Sequence, residues 1–221
     1  MAYAPPQHGF RTFVIVWLAQ SLSVIGSGMT GFALNVYLAP VLYSAPEQKA
    51  ELALAFTLLN LGFTIPFVFG GPVAGAWADR HDRRLIMIIT NTASGLTSLL
   101  TFILMLAGYL EVWMLVCIGI LAAAGSTFHF AAFDASYAML VPDRLLPRAN
   151  GTRIISPALA AAIIALPSLL PRNLALFASL ALKDGTALVI AIDAVTFLLC
   201  AVVLLIVQIP SPTRSDLFTS G

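Results

Sequence analysis

Long stretches of uncharged, apolar residues separated by short polar breaks make up most of this 221-residue chain. Two of these stretches, Leu52 to Ala74 and Leu85 to Leu106, each contain more than twenty residues without a charge. With a rise of about 1.5 Å per residue, an α-helix of that length crosses a hydrocarbon core of about 30 Å. The whole pattern predicts six membrane-spanning helices, over residues 12–43, 51–76, 84–109, 112–140, 151–170 and 186–209.

The composition indicates that these helices lie in lipid. Hydrophobic residues make up 60% of the chain and charged residues only 10%, and the mean hydropathy is +0.96. In a soluble domain about a quarter of the residues are charged. A transmembrane barrel would need short alternating segments, whereas these runs are continuous and rich in Leu, Ala and Ile. We therefore expect an all-α, polytopic membrane protein in contact with membrane lipids. There is no basic tract of the kind that binds nucleic acid.

The Lys and Arg residues indicate the orientation in the membrane. Eight of the 11 fall on one side of the predicted helices and three on the other. Because loops on the cytoplasmic side are enriched in Lys and Arg, we expect both termini in the cytoplasm. Residues 1–11 would form a short N-terminal segment and residues 210–221 the start of a linker. The expected location is the plasma membrane or inner membrane of the cell.

The densest charge in the chain lies between the second and third predicted helices, in the sequence Gly75-Ala-Trp-Ala-Asp79-Arg80-His-Asp-Arg83-Arg84. Such a group of charges between two apolar runs predicts a loop at the membrane surface. An Asp near a helix N-terminus is stabilised by the helix dipole, and neighbouring Arg residues supply charge-assisted hydrogen bonds. The alternative is that the Arg residues only set the topology.

This loop has the pattern G-x-x-x-D-R-x-x-R-R, which resembles the signature loop of Major Facilitator Superfamily transporters. Weaker similarities occur at Trp17 to Thr30, at Met139 to Gly151 and at Ile192 to Leu198. The resemblance implies the N-terminal six-helix half of that fold, with a 3+3 repeat, in the branch similar to macrolide-efflux and enterobactin-export proteins. It also implies a gating role for the loop, with these candidate residues: Gly75, Asp79, Arg80, Arg83 and Arg84.

Two acidic residues lie inside predicted helices, Asp134 in the fourth and Asp193 in the sixth. An Asp at the centre of a membrane helix costs about 2.5 to 3.5 kcal/mol, so each is a candidate functional residue. Asp134 lies seven residues before Pro142, so a place in a polar cavity competes with a place at the membrane surface or in helix packing. For Asp193, a structural hydrogen bond to a neighbouring helix is favoured.

A short internal similarity connects the first and fourth predicted helices. Gly26-Ser27 is followed by Asn35, and Gly125-Ser126 is followed at the same distance by Asp134. Polar residues at matching places are what a three-plus-three repeat would produce. We therefore expect these two helices to line a transport path, in which Asn35, His129 and Asp134 are the candidate contacts for substrate or proton.

The function expected from the resemblance is secondary active efflux of a small amphipathic molecule, such as a drug, a siderophore or a peptide product, by alternating access. Transporters of this family have twelve helices, so we expect a second six-helix half or a second copy of this chain as partner. The alternative is a non-transporting membrane scaffold or a truncated transporter remnant. An enzyme is disfavoured because no predicted helix pairs a nucleophile with a base. No cofactor or metal site is expected, and proton coupling stays open.

Overall fold

The computed structural model describes residues 9–140 and 186–207. Five α-helices run through these residues: α1 Gly9–Tyr37, α2 Lys49–Ala78, α3 Arg83–Leu106, α4 Val112–Leu140 and α5 Thr186–Ile206. Each helix contains a segment long and apolar enough to cross a membrane, and no strand occurs among the described residues. The prediction of an all-α, polytopic membrane protein is therefore confirmed.

Five of the six predicted helices lie within the described residues. α5 corresponds to the predicted sixth helix, while the predicted fifth helix at 151–170 lies outside the described residues, as does the predicted linker at 210–221. Between α1 and α2, the chain forms a π-helical turn, Leu38–Leu42, and a short 3₁₀ turn, Pro46–Gln48. The predicted first helix, 12–43, thus ends in the structure as a π-helical turn rather than as a regular α-helix.

A glycine determines where α3 ends. Gly108 has a φ of 71°, a left-handed conformation that glycine adopts without steric cost. The backbone N–H of Gly108 bonds to the carbonyl of Met105 at 3.1 Å, and that of Tyr109 bonds to the carbonyl of Leu104 at 3.0 Å. This pair of bonds is a Schellman motif, which satisfies carbonyls that the helix end leaves free. α3 therefore ends at Leu106, three residues before the predicted end.

Small residues allow close packing between the helices. α2 packs along α4, α3 packs against both α4 and α5, and α1 packs along α5. A Cβ atom added at Gly95 of α3 would lie 3.0 Å from the side chain of Leu198 and 3.4 Å from the carbonyl oxygen of Ala194, both on α5. Such close backbone approach stabilises membrane helix pairs through van der Waals contacts. These contacts matter because the hydrophobic effect does not drive helices together within lipid.

Apolar residues form a packed cluster near each end of the bundle. One cluster joins the starts of α1 and α3 to the ends of α2, α4 and α5, and consists of Phe13, Val16, Ala78, Ile86, Met87, Ala132, Phe133 and Leu204. A second cluster at the opposite end contains Leu38, Leu110 and Leu115. The charged loop between α2 and α3 lies beside the first cluster, and we call this side of the bundle the loop end.

Candidate functional site

A cavity of about 700 Å³ lies in the middle of the bundle, and all five helices contribute to its wall. This volume falls within the range of about 300 to 1,000 Å³ that is typical of small-molecule sites. Aromatic side chains form part of the wall: Trp17, Phe56, Phe63, Phe130, Phe133 and Phe197. Uncharged polar side chains from α1, α3 and α4 form much of the rest. Among the described residues of the wall there is one carboxylate, Asp193, and no Lys or Arg.

Asp193 of α5 joins three helices through its carboxylate. The Ser27 hydroxyl of α1 donates to Oδ1 at 3.3 Å, and the Ser98 hydroxyl of α3 donates to Oδ2 at 3.0 Å. The residue is only 3% exposed, and a buried carboxylate needs such donors to offset its lost hydration. We call these three residues the Asp193 cluster. The sequence favoured a structural role for Asp193, and hydrogen bonds to two neighbouring helices are the contacts that such a role requires.

Gly26 provides the space that Asp193 occupies. A Cβ atom added at Gly26 would lie 2.7 Å from Oδ1 of Asp193 and 2.8 Å from the hydroxyl oxygen of Thr196. The Thr196 hydroxyl is held in place because it donates to the carbonyl of Asp193 at 2.8 Å. Any larger residue at position 26 would therefore push α1 away from α5 or displace the carboxylate.

His129 of α4 is one of the predicted contacts that border the cavity. Its Nδ1 lies 3.1 Å from the hydroxyl oxygen of Thr90 on α3. The same Thr90 hydroxyl oxygen lies 2.9 Å from the carbonyl oxygen of Ile86 and 3.2 Å from that of Met87. A hydroxyl has one proton to donate, so the tautomer of His129 and the rotation of the Thr90 hydroxyl together set which of the two atoms is the donor.

The structure brings two of the three predicted cavity contacts together. Asn35 borders the cavity as His129 does, and its side-chain amide donates to the carbonyl of Gly31 at 2.7 Å. Asp134 is exposed and is absent from the described residues of the wall. Its place on α4 is close to the loop end, one residue before Ala135, whose carbonyl receives the Arg83 side chain. The sequence left open whether Asp134 lies in a polar cavity or at the membrane surface or in helix packing, and a position near the loop end agrees with the membrane surface.

Arg84 of the charged loop connects α3 to the end of α5. Its Nε donates to the carbonyl of Leu204 at 2.7 Å, and its Nη2 donates to the carbonyl of Leu205 at 2.6 Å. The last carbonyls of a helix have no partner within the helix, and positive charge is favourable there because of the helix dipole. The forked guanidinium satisfies two of these carbonyls at once.

Arg83 makes the corresponding connection to α4. Its Nη1 donates to the carbonyl of Ala135 at 2.8 Å, and its Nε donates to the carbonyl of Ala78, at the end of α2, at 3.4 Å. Nη2 lies 3.7 Å from the carboxylate of Asp79, whose side chain is 69% exposed. Arg83 therefore holds three helices together at the loop end, while its ion pair with Asp79 is long and open to solvent, a geometry that contributes little to stability.

The acid that caps a helix N-terminus in this loop is Asp82. Its carboxylate accepts from the backbone N–H of Arg84 at 2.9 Å and from that of Leu85 at 3.2 Å. The sequence analysis assigned importance to Asp79 and did not single out Asp82. Asp79 instead follows the last residue of α2. The sequence did hold a signal for Asp82, because an Asp directly before a long apolar run is a typical N-cap.

Two further residues of the loop have few contacts within the described part of the chain. A Cβ atom added at Gly75 would meet no described heavy atom within 4 Å, so space within this bundle does not explain the glycine. Arg80 is exposed. Both residues lie at the surface of the loop end.

Sequence analysis missed the polar face of α3. Thr90, Asn91, Ser94, Thr97, Ser98 and Thr101 all border the cavity. Their spacing of three and four residues places them on one face of a helix, and this spacing is visible in the sequence. A single Ser or Thr is common in an apolar helix and does not indicate a polar face. The polar face of α3 is recognised only when the spacing of all six residues is considered together.

Comparison with known proteins identifies relatives. Residues 16–220 match the sequence profile of the Major Facilitator Superfamily. The chain is 32% identical over 162 residues to Macrolide efflux protein A of Streptococcus pyogenes. The aligned residues cover 67% of this chain and 37% of that protein. Macrolide efflux protein A of Enterococcus faecalis is 31% identical over 171 residues, covering 72% of this chain and 46% of that protein.

A more distant relative has no assigned substrate. The uncharacterized MFS-type transporter YfiS of Bacillus subtilis (strain 168) is 26% identical over 167 residues, covering 72% of this chain and 36% of that protein. No solved structure matches the chain with significance. The aligned part spans less than half the length of each of these three relatives.

Proposed function

Because the chain belongs to the Major Facilitator Superfamily, we propose that it forms one half of a secondary active exporter that works by alternating access. The central cavity is the observation that carries the proposal. Its volume of about 700 Å³ suits a small molecule, and its wall of aromatic and uncharged polar side chains suits an amphipathic one. The substrate class is a drug, a siderophore or a peptide product, and two relatives are named for macrolide efflux.

The partner in this proposal is a second six-helix half or a second copy of the chain. α2 supports this, because α4 is its main partner among the described helices and much of its surface is left uncovered by them. In the most apolar window of α2 only 11% of the residues are buried, compared with 39% in α3. Lipid would suit the apolar side chains on this surface, but it would not suit Asn60, which is also exposed and borders the cavity.

In this mechanism the charged loop acts as the gate at the loop end. Arg83 and Arg84 bind carbonyls near the ends of α4 and α5, so the loop and these helix ends would move as one body. Asp79 is exposed, and its pairing with Arg83 is loose. It is therefore available for a contact that exists in only one state of the transport cycle. We assign Asp79 to that role, and Gly75 and Arg80 to the surface that meets the second half.

An export assay tests the proposal. The chain is expressed in an efflux-deficient bacterium, alone and together with a second six-helix half, and accumulation of radiolabelled erythromycin, a macrolide, is measured. We expect accumulation to fall only when both halves are present. In the paired protein, Asp79→Asn should abolish export at nearly unchanged membrane abundance, because the side chain is 69% exposed and contributes little to folding. Arg84→Lys keeps the charge and should do less harm to export.

Other results would change the proposal. Saturable erythromycin transport by the purified monomer in liposomes would remove the need for a partner. Full export by Asp79→Asn would remove the gating role of Asp79. Unchanged accumulation of erythromycin and of other amphipathic drugs with both halves present would favour a membrane scaffold or a transporter remnant.

We further propose that the loop end faces the cytoplasm, because eight of the 11 Lys and Arg residues are then on that side. Single cysteines test this in a protein whose Cys117 and Cys200 have been replaced. Arg80 is a suitable labelling site at the loop end, and Glu47 is suitable at the opposite end, because both are exposed. A membrane-impermeant maleimide added outside intact cells should label position 47 and not position 80. The reverse pattern would invert the orientation.

A further inference from the structure

We propose that one face of α2, formed by Phe56, Asn60 and Phe63, binds a protonated amine of the transported molecule. The inference rests on the proposed function and deepens it, because it names the group by which the cavity recognises its substrate. All three side chains border the cavity. Asn60 lies four residues after Phe56 and three before Phe63, and residues at this spacing are neighbours on a helix surface. We call these three residues the α2 face.

Asn60 contributes a hydrogen-bond acceptor whose orientation is determined by its own helix. The side-chain nitrogen donates to the backbone carbonyl of Phe56 at 2.7 Å. A carbonyl only accepts, so the reverse orientation of the amide would place two acceptors together, and Oδ1 is the atom left for another partner. Among the described residues nothing donates to this oxygen, and Asn60 is exposed. The oxygen therefore belongs to a side chain that a ligand in the cavity can contact.

The aromatic rings beside Asn60 favour a donor that carries a positive charge. Phe63 is 46% exposed, so part of its ring is open to a ligand in the cavity. The ring is supported by Phe67, which lies nearly parallel to it at 5.9 Å between centroids and meets Phe130 of α4 edge-on at 6.1 Å. The face of an aromatic ring attracts a cation, most strongly when the cation is desolvated. An amide oxygen alone would accept from any donor, whereas an amide oxygen between two rings favours an ammonium group.

The charges of the cavity wall agree with a cationic ligand. Among the described residues of the wall there is no Lys or Arg to repel it, and the one carboxylate is that of Asp193. Asp193 already accepts from Ser27 and Ser98, so a direct contact with an ammonium group would compete with bonds that join helices. A negative charge nevertheless acts over distance in a medium of low dielectric constant. The α2 face therefore supplies the direct contacts, and Asp193 supplies a favourable potential.

Asn35 of α1 offers a comparison within the same cavity. Its side-chain amide also donates to the carbonyl four residues before it, that of Gly31, at 2.7 Å, and it also borders the cavity. The wall residues at the corresponding spacing around Asn35 are Gly31 and Leu38, and neither is aromatic. Asn35 therefore has the amide without the rings. Asn35→Leu is the matched control for Asn60→Leu.

Two related ligands test the inference on the purified full-length chain, with the second half of the export assay present. Erythromycin carries one basic amine, which is protonated at neutral pH. In erythromycin N-oxide the same nitrogen bears an oxygen, so at neutral pH it has no proton to donate and no net charge. Competition with tritiated erythromycin measures both affinities. We expect the wild type to bind erythromycin roughly 10-fold more tightly than the N-oxide, as a hydrogen bond to a charged group implies.

Four variants locate the source of this preference. Asn60→Leu should reduce it to about 2-fold or less, and Asn60→Asp should raise it above the wild-type value because a carboxylate attracts an ammonium group more strongly than an amide does. Phe63→Leu should reduce it roughly 3-fold through the loss of the ring. Asn35→Leu should leave it unchanged. A variant that only damaged the fold would weaken both ligands alike, so the ratio of the two affinities separates recognition from packing.

The remaining outcomes separate this inference from the proposed function. A wild type that binds neither ligand or does not prefer erythromycin, or an Asn60→Leu variant that keeps the wild-type preference, overturns the inference and leaves the exporter in place. An equal loss of preference in Asn35→Leu also overturns it, because the rings would then play no part. A preference that depends on Asn60 in a protein that exports neither ligand supports the α2 face and overturns the exporter.

Discussion

The Asp193 cluster and the side chain of Gln20 both place polar groups inside the bundle, but they differ in hydrogen bonding. Both carboxylate oxygens of Asp193 accept from hydroxyls, and the donors belong to α1 and α3. Among the described residues, the side-chain nitrogen of Gln20 has no hydrogen-bond partner, although the residue is only 7% exposed. The charged group is thus satisfied and the neutral group is not.

This difference indicates two kinds of role for polar residues in a membrane bundle. A polar side chain whose hydrogen bonds are complete joins helices, so replacing it should lower the stability of the bundle. An unsatisfied buried group costs stability, so its replacement by an apolar side chain of similar size should leave the melting temperature unchanged or raise it. From the sequence alone, an intramembrane Asp attracts more attention than a Gln, because a charge costs more to insert. Only the hydrogen bonds show which of the two side chains is satisfied.

The largest expected effect on stability comes from Gly26→Ala. The added Cβ would lie within 2.8 Å of two oxygen atoms of α5, so α1 and α5 must separate or the Asp193 cluster must break. Overpacking of this kind costs about 1 to 3 kcal/mol. We expect a clear fall in the apparent melting temperature of the purified protein and in its abundance in the membrane.

Gly31→Ala is the matched control for this variant, because no described atom lies within 4 Å of a Cβ at that position of the same helix. It should melt at the wild-type temperature or slightly above, since Ala favours a helix by about 1 kcal/mol over Gly. Equal melting temperatures for both variants would show that α1 and α5 are less tightly packed than the structure has them.

An intermediate effect is expected from Asp193→Ala. This change leaves the hydroxyls of Ser27 and Ser98 without their acceptor, so the protein should be destabilised by about 1 to 2 kcal/mol, as two membrane hydrogen bonds imply. Asp193→Asn retains one acceptor oxygen and should lose less. Thermal unfolding in detergent measures both variants. An Asp193→Ala variant that unfolds at the wild-type temperature would contradict the structural role of Asp193.

The smallest effects are expected from the donors of the Asp193 cluster. Hydrogen bonds between membrane helices contribute about 0.6 kcal/mol on average. Ser98→Ala removes the bond of 3.0 Å and should destabilise the protein more than Ser27→Ala, which removes the bond of 3.3 Å. The same measurements apply, and a larger loss for Ser27→Ala would contradict the geometry.

The charged loop illustrates how far a pattern in the sequence can lead. The spacing of Asp79, Arg83 and Arg84 was enough to predict a surface loop and to suggest a family. It could not show which carbonyls the Arg residues bind, because Ala135 lies 52 residues from Arg83, and Leu204 and Leu205 lie 120 and 121 residues from Arg84. Contacts over such distances depend on how the helices are arranged.

Asp134 and Gln20 show what the sequence could not predict about the cavity wall. Asp134 matches Asn35 in a short internal repeat. It is nevertheless exposed, and it is not one of the described residues that border the cavity. Gln20 lies within the Trp17 to Thr30 segment that resembles the family, but the sequence analysis gave it no role. A sequence gives the polarity of each position, whereas the direction of a side chain depends on the rotation of its helix against its neighbours.

The amino-acid sequence by itself determined that this protein is an all-α, polytopic membrane protein, because lipid requires long apolar helices and these can be read from local composition. It also determined the position of the charged loop. Only the tertiary structure decided which polar groups satisfy one another. Hydrogen bonds such as those of the Asp193 cluster join residues 95 and 166 positions apart, and whether a buried atom finds a partner is a property of packing that no local pattern contains.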